Sequence, residues 1–447
     1  MLRSAWMFAG VLWLAACGSS GSRGAPVAPN PTLTAEPATF APGATVRLRP
    51  LFGSGTGRID PDVGPVVSGQ TYDVGPVQAG VTFTLTVTST AGEERTQLAV
   101  PLRYRERVQE LPPSPIARTR PGSTRLADGR VLLVGGASPT NLAWANSEAF
   151  ALAAATPVGE LANGRAESTV VTFADGSAWS FGGITNSSQF QVATLVESWD
   201  PTALAWSSRG NLRCNRTRHT ATVLADGRVL LAGGTAVGPL EDRDAELWVP
   251  GVGAAAPANE MEVRRAAHTA TRMPDGRVLL VGGYALGTGE AVALCEWFDP
   301  ATSTFAPGPS LATPRFYHAV VPLEDGRLLA IGGEEQGITL RAQCELYDPA
   351  SDTWTPTGSL LRARTEVRAV RLLGGYVMVV GGVDGDGTAT GQIEAWSPAS
   401  GQWRAWGASL PVVRAGHVVV TLPDGRVVVL GGDPSTGFPD GRQFVLD

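Results

Sequence analysis

Runs of four apolar residues recur along the chain, each bounded by Asp-Gly before it and Gly-Gly after it. They are Val131 to Val134, Val229 to Ala232, Val278 to Val281, Leu328 to Ile331 and Val427 to Leu430. Two degenerate copies fill the gaps: Ala178 to Phe181 after Asp175-Gly176-Ser177, and Val377 to Val380 after Gly374-Gly375-Tyr376. Such runs are too short and too β-branched for a helix, and they predict strands buried on both faces. Asp-Gly between apolar runs predicts a tight type I′ hairpin, because both central residues of that turn need positive φ. The paired glycines at the strand's end let other backbone or a large side chain approach closely. The first glycines fall at 135, 182, 233, 282, 332, 381 and 431, in steps of 47 to 51 residues. A period near 50 marks a propeller or solenoid built from one repeated unit.

A second marker follows each Gly-Gly. Glu345-Leu346-Tyr347-Asp348-Pro349 with Trp354 is the fullest copy; Glu197 to Pro201 with Trp206, Glu296 to Pro300 with Phe305, and Glu394 to Pro398 with Trp403 are its cousins. Asp-Pro predicts a turn, and the flanking aromatics read as two outer strands. Each unit therefore predicts a four-stranded blade. Arg-x-x-His, Asp-Gly-Arg-Val, Gly-Gly, Glu-x-Tyr-Asp-Pro and Trp at this spacing resemble the kelch family, over about three quarters of the chain. The resemblance implies an all-β fold with a seven-bladed kelch-type β-propeller over residues 105–447. The seventh copy stops at Asp447, one strand short. Arg107 to Pro113 aligns with Thr353 to Pro356 and is expected to supply the missing outer strand, removing an open edge.

Upstream, residues 32–104 lack the repeat but alternate: Val46, Leu48 and Pro50, then Val81, Phe83, Leu85 and Val87, then Leu98, Val100 and Leu102. The alternation, punctuated by Gly and Pro, predicts a small immunoglobulin-like sandwich, either a spacer or a second binding module. Residues 1–17 read as a signal peptide, with Arg3 before a short apolar core. Leu14-Ala15-Ala16-Cys17 resembles a bacterial lipobox, which implies lipidation of Cys17. Gly18 after it fits outer-membrane sorting by the same analogy. Residues 18–31, rich in Gly and Ser, read as a flexible linker. The expected location is the bacterial envelope, lipid-anchored, at the outer membrane.

The formal charge of −6 and pI near 5.4 argue against a nucleic-acid partner. There is no lysine. Beyond Cys17, the three cysteines Cys214, Cys295 and Cys344 allow at most one disulfide; Cys295 and Cys344 hold equivalent positions on adjacent blades, and all three read as structural. No zinc-ligand spacing occurs, and no metal or cofactor is expected.

An arginine stands 17 residues before each Gly-Gly, at Arg118, Arg165, Arg216, Arg265, Arg315, Arg364 and Arg414. It persists where the repeat histidine becomes Pro121, Ser168 or Val367. The repeat glutamates Glu148, Glu197, Glu246, Glu296, Glu345 and Glu394 start on the same face, two strands away, roughly 10 Å. The arginines are expected either to fasten blades by pairing with these glutamates or to stay free for an anionic ligand. The second reading points to Arg414, whose blade has Gln443 in place of glutamate, and to Arg364, whose blade has Val367 and lacks Asp-Gly-Arg. Loops of unlike sequence follow each Gly-Gly on this face, the pattern of a binding surface on a rigid scaffold. They add Arg243, Glu334, Glu335, Asp384 and Asp386 as ligand-binding candidates. The expected function is binding or scaffolding of a protein or glycan partner. The alternative is a copper-radical oxidase: Arg315-Phe316-Tyr317-His318 is similar to the Tyr-His segment of galactose oxidase and its relatives, which would make Tyr317 and His318 copper ligands. That chemistry also needs a second tyrosine linked to a cysteine and another histidine, which the sequence does not place near the axis.

Overall fold

The computed structural model describes residues 30–36, 44–77, 81–100, 104–138, 140, 142–152, 154–186, 191–235, 245–257, 260–335, 339–434 and 439–447. Cys17 and Arg243 lie outside the described residues. The chain divides into two compact units, an N-terminal one and one spanning Leu102–Asp447. Among the described residues the N-terminal unit has seven strands in two sheets. One is Thr32–Glu36, Ala44–Leu51, Tyr72–Val77; the other is Gly64–Val66, Thr56–Asp60, Val81–Ser89, Gly92–Val100. This connectivity is consistent with an immunoglobulin-like sandwich. Val46, Leu48, Ile59, Phe83, Leu85 and Val87 are fully buried in this unit, as their alternation requires.

In the larger unit the described residues form seven four-stranded antiparallel sheets, the blades. Blade 1 is Gly122–Arg125, Val131–Val134, Asn146–Ala151, Ala154–Glu160. Blades 2 to 6 begin at Thr169, Thr220, Thr269, Ala319 and Arg368 and repeat the same order. Blade 7 takes Val418–Thr421, Val427–Leu430 and Gln443–Leu446 from the end of the chain, and its outer strand is Val108–Leu111, paired Gln443 to Leu111 through Leu446 to Val108. The expected closing strand is in place.

Seven apolar clusters sit between successive blades, the last joining blade 7 to blade 1. The second strand of each blade serves two of them. Val131 and Leu133 face blade 7, while Leu132 and Val134 face blade 2. Side chains alternate across a strand, so a strand clamped between two sheets must be apolar throughout, and this explains the four-residue runs.

The Asp-Gly hairpins differ from the type I′ expectation. Gly129 has φ 86° but Asp128 has no positive φ. Gly129 N donates to Leu126 O, and Leu126 N donates to Arg130 O. These bonds define a three-residue loop with glycine in the left-handed position. The aspartate instead accepts from Arg130 N at 3.0 Å and Arg130 Nε at 2.7 Å, which is why Asp-Gly-Arg recurs as a triplet. These hairpins mark the lower end of the propeller; the Gly-Gly pairs mark the upper end.

Candidate functional site

The seven arginines form a fastener at the upper end. In blades 1 to 6, Nη2 donates to the repeat glutamate, with Arg265 to Glu296 at 2.6 Å and Arg315 to Glu345 at 2.7 Å. In all seven blades Nη1 donates to the carbonyl of the blade's first glycine. The second glycine of each pair donates its N–H to the carbonyl of the next blade's arginine, and Gly432 to Arg118 closes the circle. A Cβ on Gly233 would stand 2.3 Å from Arg265 O, at φ 59°, so only glycine fits. The glutamates also tie blades together: Glu345 accepts from Ala312 N at 2.7 Å and Thr313 N at 3.1 Å, both in the preceding linker.

Arg364 and Arg414 therefore do not stand apart as ligand groups. Arg364 is fully buried and paired with Glu394 like its siblings. Arg414 is equally buried; it reaches Asp440 at 3.5 Å, stacks over Phe444 at 4.7 Å, and binds the carbonyls of Gly431 and Arg442. The missing glutamate leaves Gln443 Oε1 buried without a partner rather than leaving a free guanidinium. Glu335 is paired with Arg341. Asp384 accepts from Asp386 N and Thr388 Oγ1, each at 3.3 Å, within its own turn. Glu334 lies near Glu366, and burial raises its carboxyl above the ordinary range.

The residues that do converge lie two positions after each fastener arginine: Arg120, Glu167, Arg218, Ala267, Tyr317, Glu366 and Gly416. All seven are left-handed, with φ from 48° to 61°. The turn aims their backbone N–H groups at the preceding blade: Arg120 donates to Gly416 O, Glu167 to Arg120 O, Ala267 to Arg218 O and Tyr317 to Ala267 O. It leaves the side chains around a cavity of about 310 Å³ at the channel mouth. Arg120 bridges Glu366 at 3.1 Å and Glu167 at 3.4 Å. Arg218 reaches Glu167 at 3.3 Å and Tyr284 Oη at 3.4 Å, and lies 5.8 Å from the Tyr317 ring centroid. The guanidiniums are the more exposed members, 47% for Arg120 and 33% for Arg218, against 14% for Glu167 and 19% for Glu366. Glu366 Oε2 and the Ser168 hydroxyl, which lines the cavity, are buried without partners. Sequence reasoning missed most of this ring because no single residue type holds the position in every blade. The signal was positional: two residues past an invariant arginine.

The repeat histidines belong to the frame. His219, His268 and His318 place Nε2 against Thr169, Thr220 and Thr269 of the preceding blade at 2.8, 3.1 and 3.2 Å. Burial pushes His318 and His417 down to about 3 and the others well below their usual value. A histidine kept neutral in the folded state but free to protonate when unfolded makes the unfolded chain bind more protons between pH 3 and 6.5. Stability is then complete above about pH 6.5 and falls as pH drops through that window, by up to about 1.4 kcal/mol per pH unit per histidine. Melting temperature measured from pH 7 to 4 should fall, and His318→Gln should shallow the slope; an unchanged slope contradicts the assignment.

The copper set does not fit. Tyr317 and His318 reach the mouth, but His318 Nε2 is committed to Thr269, and the described residues hold no group of three His, Cys, Asp or Glu suited to a metal. Cys214, Cys295 and Cys344 are buried and form no disulfide among the described residues. Cys295 and Cys344 sit beside or within third strands, and burial pushes their thiols up to about 12 and 11.

A kelch motif matches residues 368–405, which cover blade 6. No curated protein sequence matches the chain. Among solved structures, the YjhT structure aligns at TM-score 0.52 and 14% identity, over 66% of this chain and 99% of that one. A fungal alcohol oxidase of the AA5 family, solved in complex with copper, aligns at TM-score 0.58 and 16% identity, over 76% of this chain and 75% of that one. At these identities the likeness is one of fold: the larger unit is a β-propeller, with a kelch motif in blade 6.

Proposed function

We propose that this is a binding protein of the bacterial envelope, lipid-anchored at Cys17, which takes a protein or glycan ligand at the upper mouth of its propeller. One observation carries the reading. Glycine is the residue best suited to a left-handed position, yet six of the seven ring positions carry side chains, and these differ from blade to blade. The fastener arginine two residues earlier never changes. A purely structural ring would have no reason to accept backbone strain for the sake of varied side chains. Arg120, Glu167, Arg218, Tyr317 and Glu366 supply paired hydrogen-bonding groups and an aromatic surface in one concave site, the usual composition of a recognition pocket. The lipid anchor would hold the protein at the membrane; among the described residues no helix is long and apolar enough to cross a membrane.

The test has two arms. In the first, the full-length protein is screened against glycans and envelope proteins, and the captured ligand is titrated against variants. Arg218→Ala and Tyr317→Ala should each weaken binding at least tenfold, while Asp384→Ala leaves it unchanged. Equal affinity for all three removes the ligand from the mouth. In the second arm, Cys17→Ser should move the protein from the membrane pellet to the soluble fraction; pelleting that survives the substitution rules out the anchor.

A further inference from the structure

The channel wall below the mouth has a charge signature of its own. The seven innermost strands, which run from the ring down to the Asp-Gly hairpins, contain no aspartate or glutamate. They contain four arginines, in a chain whose formal charge is −6. Three of them, Arg125, Arg272 and Arg371, are the last residues of the innermost strands of blades 1, 4 and 6, so they share one level at the lower rim. All three are exposed.

Each spends one N–H on the backbone carbonyl at the same level of the preceding blade: Arg125 on Thr421 at 3.4 Å, Arg272 on Val223 at 3.1 Å, Arg371 on Pro322 at 3.5 Å. None of the three forms an ion pair among the described residues. The neighbouring hairpin arginines are different: Arg130, Arg228, Arg277, Arg327 and Arg426 are each locked to the aspartate two residues before. Asp175 and Glu324 also form no ion pair among the described residues, but they sit on the hairpins of blades 2 and 5, beyond the innermost strands, so the charges that the channel wall itself carries are all positive.

We propose that this rim is a binding site for a phosphate-bearing group, held by Arg125, Arg272 and Arg371. A guanidinium carries five N–H donors, so the carbonyl tether fixes each fork and leaves four donors unspent. Three like charges around one opening repel each other until an anion enters, and the low-dielectric wall concentrates their field. A single carboxylate, with two oxygens, can satisfy one fork bidentately. Phosphate, with more oxygens and up to two charges, suits forks set around an opening. The site lies at the opposite end of the channel from the ring and does not depend on what the ring binds.

The probe is inorganic pyrophosphate, titrated calorimetrically into the full-length protein at low ionic strength, with acetate as the single-carboxylate comparison. One pyrophosphate should bind per chain, acetate at least tenfold more weakly. The triple variant Arg125→Gln, Arg272→Gln, Arg371→Gln keeps a donor for each carbonyl while removing the charge. It should keep its melting temperature and lose at least tenfold in affinity; Arg327→Gln, at a paired hairpin, should bind as the parent does. Absence of binding by the parent protein, acetate binding as tight as pyrophosphate, or a triple variant that binds undiminished would each overturn the proposal. Binding that survives the triple variant but is lost in Arg218→Ala would place the anion at the upper mouth instead, and would overturn it equally.

Discussion

Replacing Arg315 by alanine should destabilise the propeller by about 3–5 kcal/mol, among the largest effects of any single substitution in the chain. The guanidinium is fully buried and makes bonds to Glu345, to the carbonyls of Gly332 and Gln343, and to Thr313 O. Its removal leaves the Glu345 carboxylate, 2% exposed, without its cation. The orphaned charge is what makes the loss large, because a buried ion without a partner bears its full desolvation cost. Arg414→Ala is expected to cost about 1–2 kcal/mol less, since no buried carboxylate is stranded beside Gln443. Glu345→Gln added to Arg315→Ala should recover part of the loss for the same reason. Chemical denaturation of the three variants decides the matter. Equal losses for Arg315→Ala and Arg414→Ala, or no recovery in the double variant, would show that packing and not the stranded charge sets the cost.

Deleting residues 105–113 should be the most damaging change to the ring as a whole. It removes the four-residue pairing of Val108–Leu111 with Gln443–Leu446 and the burial of Leu111 in the blade 7 and blade 1 core. Val108 packs on the neighbouring core as well. Two apolar side chains returned to water amount to roughly 3–5 kcal/mol, which for a unit this large lowers the melting temperature by several degrees, at about 2–4 °C per kcal/mol. Gln443–Leu446 would then present an unpaired edge and promote association. Thermal unfolding and size-exclusion chromatography report both effects; a variant that melts with the parent and stays monomeric is incompatible with closure by this strand.

The frame was legible because its parts recur. Arg315, Glu345 and the glycines at 332 and 333 each do one mechanical task, and that task returns about every 50 residues, so spacing alone identified the blades and offered the fastener as one of two readings of the arginines. Alternation in Phe83, Leu85 and Val87 marked out the strand Val81–Ser89 of the N-terminal unit. The hairpin type was misjudged because Asp-Gly can serve two turns, and which one forms depends on whether Ala127 joins the loop. The mouth was harder. Arg120, Glu167, Arg218, Tyr317 and Glu366 share a backbone conformation but no single residue type, and conformation is invisible until the chain is folded. Arg364 and Arg414 drew notice through departures in their neighbours, yet the fastener absorbs both departures: Arg364 never needed Asp-Gly-Arg, and Asp440 partly stands in for the glutamate that blade 7 lacks.

The shared last blade also sets a timetable for synthesis. Leu111 and Gln443 are partners separated by 332 positions. At about 5–20 residues per second, the strand Val108–Leu111 waits roughly 20–60 s before its partner leaves the ribosome. During that wait an unpaired strand can capture any other edge it meets. Its composition restrains this. Gln109 and Glu110 interrupt the apolar positions, Arg105 and Arg107 precede them, and Pro112-Pro113 follow with no N–H to offer. The residues that make the closing strand look unremarkable are those that keep it available until the seventh blade exists.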